Sequence, residues 1–206
     1  MKPKHPDIQK MLKLTDKEIR RALISSLKRR ANAPRATLEE LHVCNGNAIA
    51  DVVAVYKTMH CYEIKGETDS INRIVRQSEF YDQAFSLISL VTTKNHLNRA
   101  LAICPKHWGI LIASELRSGE VSLRHIRGAG RNPHYNPEIA LLSLWRSELI
   151  QFSVTGGSDF AKMNRRKMAE AIVSSAPAKI INERLGSALT MRRARLTMQD
   201  SVATYT

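Results

Sequence analysis

The chain has 206 residues, room for one ordinary domain or one plus a small appendage. Its apolar share, 43%, is ordinary for a globular chain. No window approaches about eighteen uninterrupted apolar residues, so a membrane-spanning helix is not expected, and the charged N-terminus lacks the apolar run of a secretion signal. The formal charge of +13 is unevenly spread. Residues 1–36 carry 11 Lys/Arg against 3 Asp/Glu, residues 37–120 carry 8 against 10, and residues 121–206 carry 13 against 6. Two basic ends flank an acidic middle. Basic ends suit a polyanion, and an acidic centre suits a metal that touches it. Cys44, Cys61 and Cys104 are scattered, odd in number and lack Cys-x-x-Cys spacing. Reduced thiols in a cytoplasmic protein are expected, with neither a disulfide frame nor a zinc knuckle.

Residues 1–14 show little pattern and are expected to form a flexible arm. Thr15-Asp16-Lys17-Glu18 fits a capping box, and Ile19, Leu23 and Leu27 continue at helical spacing. Asn32-Ala33-Pro34 ends that helix. Thr37–Val43 reads as a short strand, with a helical turn over Leu38-Glu39-Glu40-Leu41 as the alternative, and Asn45-Gly46 as a tight turn. Ile49–Val55 is rich in β-branched residues, and Cys61–Lys65 follows as a second strand broken by Gly66. Thr68-Asp69 is expected to cap a helix carrying Ile71, Ile74, Val75, Ser78, Tyr81 and Phe85. Further strands are expected at Ser86–Thr92, Trp108–Ile112 and Val121–Ile126, with a short helix between Lys94 and Ala102. Gly128-Ala129-Gly130-Arg131-Asn132-Pro133 reads as a linker and the best boundary. Beyond it come helices at Pro137–Phe152, at Ser158–Ser174 and after Pro177. The expected organisation is therefore a flexible arm (1–14), a core (15–130) and a basic helical extension (131–206). The fold class is α/β: a central mixed β-sheet flanked by helices, with the helices of the extension following.

The charged residues of the middle carry the chemistry. Asp51 heads one strand, and Glu63 and Lys65 share a face at the tail of the next. An acid and a lysine there are costly to bury without partners. Adjacent strands lie about 4.8 Å apart, so Asp51 and Glu63 can share one cation. Mg²⁺ takes oxygen ligands, often one or two carboxylates plus a phosphate oxygen. The Ile64 carbonyl lies between Glu63 and Lys65, and Glu40 supplies a further acid. Such an ion activates water and polarises a phosphodiester, while Lys65 neutralises charge building on the phosphorane. Asp69, Arg73, Gln77 and Tyr81 recur every four residues as one stripe that can lie over the site. They either contact a nucleic-acid strand, hold the lysine, or form a plain polar face with an Asp69–Arg73 surface pair.

This constellation resembles the PD-(D/E)XK nuclease superfamily. Asp51 and Glu63-Ile64-Lys65 match its signature, Glu40 its upstream acid (Glu39 less well), and Gln77-x-x-x-Tyr81 a motif of one of its branches. Ala50 stands where the proline of the name would be, a position that holds no ligand. The stretch 15–150 is also similar to small bacterial and prophage proteins of that superfamily, including counterparts to Trp108-Gly109 and to Leu144-Trp145-Arg146-x-Glu148-Leu149. The resemblance implies a restriction-endonuclease-like core, Mg²⁺ or Mn²⁺ as cofactor, catalysis by Asp51, Glu63, Lys65 and Glu40, and metal binding by Asp51, Glu63, Glu40 and the Ile64 carbonyl. It implies phosphodiester hydrolysis of a nucleic acid, DNA by expectation, in the cytoplasm. The alternative is a nuclease-fold module without catalysis, for nucleic-acid binding or protein interaction in phage–host conflict. A homodimer or larger complex is within expectation.

Nucleic-acid contact is assigned to Arg73, Gln77 and Tyr81. Arg124, Arg127 and Arg131 are either a solvated edge or a phosphate clamp. Asn164-Arg165-Arg166-Lys167 and Arg192-Arg193-Ala194-Arg195 are read as phosphate contacts. Trp108 and Trp145 are read as core residues, not base-stacking platforms. His60-Cys61 and Cys44 read as structural rather than as metal ligands or a nucleophile.

Overall fold

Thr15 starts the first helix, α1 (Asp16–Lys28), in the manner its capping pattern requires. The Glu18 amide donates to Thr15 Oγ1, and the Thr15 amide donates to Glu18 Oε2 at 2.8 Å. The computed structural model describes residues 13–152 and 158–203, so the arm expected at 1–14 lies outside the described residues up to residue 12. Ile19, Leu23 and Leu27 are fully buried, and they cover one face of a sheet through Val52, Ala54, Tyr62, Ile64, Val91 and Leu111.

Among the described residues six strands make that sheet, in chain order: β1 (Ala36–Val43), β2 (Ala48–Val55), β3 (Met59–Ile64), β4 (Leu87–Thr93), β5 (Gly109–Glu115) and β6 (Val121–Arg127). The β1–β2, β2–β3 and β5–β6 pairs are antiparallel; β3–β4 and β4–β5 are parallel. Parallel neighbours need crossovers. These are α2 (Ile74–Ala84) and α3 (Leu97–Ile103), both packed on the face opposite α1. The mixed sheet flanked by helices is thus the expected fold class.

The second face carries a larger core. Leu41, Val53, Cys61, Tyr81, Phe85, Leu90 and Trp108 meet side chains from α4 (Pro137–Leu141), α5 (Arg146–Phe152), α7 (Arg165–Ser175) and the long α8 (Ala178–Ala203). A short α6 (Ser158–Lys162) precedes α7. The segment 128–133, read as a linker, is stapled down. Gly130 donates to the His107 carbonyl at 2.8 Å, and the buried Asn132 amide donates to the carbonyls of Asp82 (2.6 Å) and Phe85 (2.7 Å). The C-terminal helices share one apolar core with the sheet, so packing does not break at that point.

Three local readings are corrected. The helix after β3 is not capped by Asp69: a 3₁₀ turn at Ile71–Arg73 comes first, and Asp69 Oδ2 accepts from the Gly66 amide at 2.7 Å. The helix expected over Pro137–Phe152 is two, because Ser143 Oγ bonds back to the Ala140 carbonyl and Glu148 caps the second by accepting from the Trp145 amide at 2.7 Å. The helix expected over Ser158–Ser174 also divides, with Asn164 capping α7 through the Lys167 amide. Trp108 is buried as expected, but Trp145 is 52% exposed. No helix among the described residues is long and apolar enough to cross a membrane.

Candidate active site at the β2–β3 fork

The site arises where two strands stop pairing. The last β2–β3 partners are Val52 and Tyr62; one position further stand Asp51 and Glu63. The Ile64 amide donates to Asp51 Oδ2 at 2.7 Å, so a side chain takes the place of the next ladder bond. On the other side of β2 the β1 ladder is interrupted at the same level, between the Glu39–Val52 and Leu41–Ala50 pairs. Glu40 there has φ 53°, a left-handed conformation that a residue with a β-carbon adopts only at a cost. The irregularity shifts which residues face the core. Leu38 and Leu41, three apart, enter the same cluster, as do Ala50 and Val53. In a regular strand residues three apart face opposite sides.

Gly66 sets the other wall. A β-carbon there would lie 2.9 Å from the Asp16 nitrogen and 2.9 Å from the Leu14 carbonyl oxygen. Only glycine lets the end of β3 approach the start of α1 this closely. The Glu67 amide then donates to the Leu14 carbonyl at 2.9 Å. That approach puts Asp16 beside Asp51, in a pocket of about 720 Å³ also lined by Glu40, Glu63, Ile64, Lys65, Asp69, Arg73, Arg76 and Gln77.

Glu63 is fully buried and Lys65 nearly so, at 7% exposure. Lys65 Nζ donates to Glu63 Oε1 and, at 3.3 Å, to the Ile64 carbonyl. The Tyr81 hydroxyl lies 2.7 Å from Glu63 Oε2 and 2.6 Å from the Ile49 carbonyl, two acceptors for one proton. Gln77 Nε2 approaches that hydroxyl at 3.4 Å. Of the Gln77–Tyr81 stripe, Tyr81 bonds Glu63, the partner of Lys65, while Gln77 reaches only the Tyr81 hydroxyl and neither bonds the lysine. Tyr81 is fully buried, so a contact between its side chain and a nucleic acid is ruled out by position. Gln77 Oε1 is buried without a partner and lies at the pocket wall.

Arg20, on α1, ties the remaining acids together. Its guanidinium donates to Asp16 (3.0 Å), Asp51 Oδ1 (3.3 Å) and Glu40 (3.2 Å). Burial, and then the nearby charge of Glu63, push the Asp51 carboxyl up to about 7. Burial and the charge of Asp51 also raise Asp16, whose Oδ1 is buried without a partner. Asp51, Glu63 and Lys65 therefore converge on one pocket. Glu40 reaches it, but its side chain is 71% exposed and bound to Arg20. Among the described residues no three His, Cys, Asp or Glu side chains are grouped as metal ligands. Two carboxylates and the Ile64 carbonyl form an oxygen-only donor set, which fits a hard cation completed by water and phosphate oxygens.

Asp16 and Arg76 carry no site reading in the sequence, and Arg20, which its helix position there assigns to water or phosphate, is instead turned onto three acids. Arg76 follows Arg73 by three, a helical neighbour, and that spacing was the available signal. Asp16 and Arg20 are i and i+4 on α1, but only the Gly66 approach makes them part of the pocket.

The assigned phosphate-binding arginines divide. Arg73 lines the pocket and is exposed, as are Arg124 and Arg131 on their own surfaces. Arg127 is a strut: it donates to the carbonyls of Trp108 (2.7 Å) and Pro105 (2.8 Å). Arg165 likewise holds the carbonyls of Leu142 and, at 2.9 Å, Leu144. Arg166 lies 3.6 Å from Glu170, and Lys167 is exposed. Arg192 is buried in a pair with Glu148 rather than offered to phosphate.

The family model described as Bacteriophage P4 protein cII matches residues 9–199. That match is phage-related, in agreement with the prophage part of the expected resemblance. No curated protein sequence matches the chain significantly. A solved structure, the SPO1766 protein of unknown function from Silicibacter pomeroyi, is similar at 13% identity and TM-score 0.42, over 56% of this chain and 72% of that one.

Proposed function

The chain belongs to the family of bacteriophage P4 protein cII, and for this member we propose metal-dependent hydrolysis of a nucleic-acid phosphodiester, DNA in the first instance. The observation that carries the reading is the convergence of Asp51, Glu63 and Lys65 at the β2–β3 fork, in a pocket edged by Arg73 and Arg76. Asp51, Glu63 and the Ile64 carbonyl would hold Mg²⁺ or Mn²⁺, which supplies Lewis-acid polarisation of the phosphate and a more acidic bound water. Arg73 and Arg76 draw the phosphate to the pocket mouth. Lys65 is kept in place by Glu63, itself fixed by Tyr81, and its ammonium offers charge to the reacting phosphoryl oxygens. The test is incubation with linear, circular and single-stranded DNA in Mg²⁺ or Mn²⁺. Cleavage lost in both Asp51→Ala and Lys65→Ala supports the site; cleavage surviving both removes it.

A second reading, a nuclease-fold binding module without catalysis, draws on a different observation. Arg20 already pairs with Asp51, and Lys65 with Glu63, so the acids are neutralised by the chain itself. Calorimetry with Mn²⁺ separates the two. Binding that Asp51→Ala abolishes favours the enzyme, and no heat at millimolar Mn²⁺ favours the module.

A further inference from the structure

A second cavity, of about 270 Å³, lies against the first; Glu40 and Gly46 line both. Its walls come from β1 (Leu38–His42), the α4–α5 junction (Leu142, Ser143, Trp145), Arg165 and α8 (Arg192, Leu196). Trp145 is the distinctive group. Its ring is half exposed, and the Arg192 guanidinium carbon sits 4.4 Å from the ring centroid. Arg192 is immobilised by Glu148 and by the Ser143 carbonyl at 3.0 Å, so the indole rests on a rigid cationic support. Arg165 also lines the cavity, and its Nε is buried without a protein partner. The volume falls below the range for drug-sized ligands and suits one flat ring.

We infer that Trp145 and this cavity form a stacking subsite for one unpaired base of a single-stranded nucleic acid threaded past the β2–β3 fork. Three features select a base over other occupants. An exposed indole offers a face to any base, and such stacking tolerates sequence. Glu39 and Glu40, which line the cavity, repel a phosphate but accept from exocyclic amino groups of bases, and Arg165 adds a guanidinium to the same lining. The net charge of +13 favours binding of a polyanion to the chain as a whole. A base inside a duplex cannot reach the indole, so the subsite favours single strands, splayed ends or flaps. The placement beside a cleavage pocket rests on the reading proposed above; the stacking itself does not.

The experiment is binding of a fluorescein-labelled single DNA strand of mixed sequence, and of the same strand in blunt duplex, to the full chain in EDTA. Trp145→Ala is expected to weaken single-strand binding about 5- to 150-fold, the range for loss of one stacked base, and duplex binding less than about two-fold. Trp145→Phe retains most of the affinity. Leu196→Glu, at the cavity rim, weakens the single strand in the same direction. Equal single-strand affinity in wild type and Trp145→Ala overturns the inference, as does an equal loss for strand and duplex. Because no metal is present, a chain that never cleaves but discriminates in this way keeps the subsite and loses the nuclease reading. A chain that cleaves while Trp145→Ala binds normally does the reverse.

Discussion

Removing the Arg192 charge is the sharpest test of how α8 is held to the rest of the chain. Arg192 donates to both Glu148 oxygens and to the Ser143 carbonyl, with Glu148 3% and Arg192 5% exposed. Arg192→Met keeps length and apolar bulk but leaves the Glu148 carboxylate buried without its main partner. Breaking a buried pair from one side costs about 3–5 kcal/mol. Arg195 remains 3.7 Å from Glu148 and the Trp145 amide still donates to it, so the lower end is expected. For a chain of this size about 3 kcal/mol corresponds to a melting temperature lower by roughly 6–12 °C. Glu148→Gln alone should also be costly, since it strands the Arg192 cation. The double variant should return to within about 1–2 kcal/mol of wild type, because a buried pair is worth little against neutral groups of similar size. Thermal melts of the four proteins at one pH close the cycle. A double variant as unstable as Arg192→Met, or a single variant within about 1 kcal/mol of wild type, would refute the reasoning.

Tyr81→Phe deletes one hydroxyl and keeps the packing, leaving Glu63 with one fewer donor in a dry site. A hydrogen bond to a charged group is worth about 1.5–3 kcal/mol, so a fall of about 3–12 °C is expected in the melt; an unchanged melting temperature rejects the assigned role. His60 is pressed down to about 4 by burial, with a smaller contribution from Arg30, as it stacks on Tyr62 at 4.2 Å and faces Ser89 Oγ at 2.9 Å. Its folded value lies below its unfolded one, so the unfolded chain takes up the proton first. The His60 contribution is therefore complete above about 6.5 and is lost as pH falls toward about 4, by about 3 kcal/mol. Urea midpoints across that window should flatten in His60→Asn relative to wild type, and identical pH slopes would contradict the assignment.

The order of elements was legible because it depends on neighbours along the chain. Thr15 and Glu18 announce α1, the β-branched run announces β2, and apolar spacing with turn residues places α2 through β6 approximately. The triad Asp51, Glu63 and Lys65 was legible for the same reason: strand parity puts 63 and 65 on one face, and one turn brings 51 alongside. Readings failed where a side chain answers to something distant. Asn132 looked like part of a linker, yet its amide is consumed by two carbonyls of a helix end far back in the chain. Arg127, Arg165 and Arg192 looked like phosphate ligands, yet a guanidinium is equally suited to bind carbonyls and carboxylates of its own chain. Trp145 looked like core, but the division of the helix at Ser143 turns it outward.

From its sequence alone this protein is committed to a mixed sheet between helices, with two acids and a lysine at neighbouring strand ends, because such commitments need only local spacing and alternation. What folding in three dimensions added is the setting of those charges. The left-handed backbone at Glu40 interrupts the β1–β2 ladder beside Asp51, the bare α-carbon of Gly66 admits α1, and Arg20 and Tyr81 are brought from other elements to hold Asp51 and Glu63. Those contacts join residues up to dozens of positions apart, and burial decides their strength, so no periodicity along the chain could have announced them.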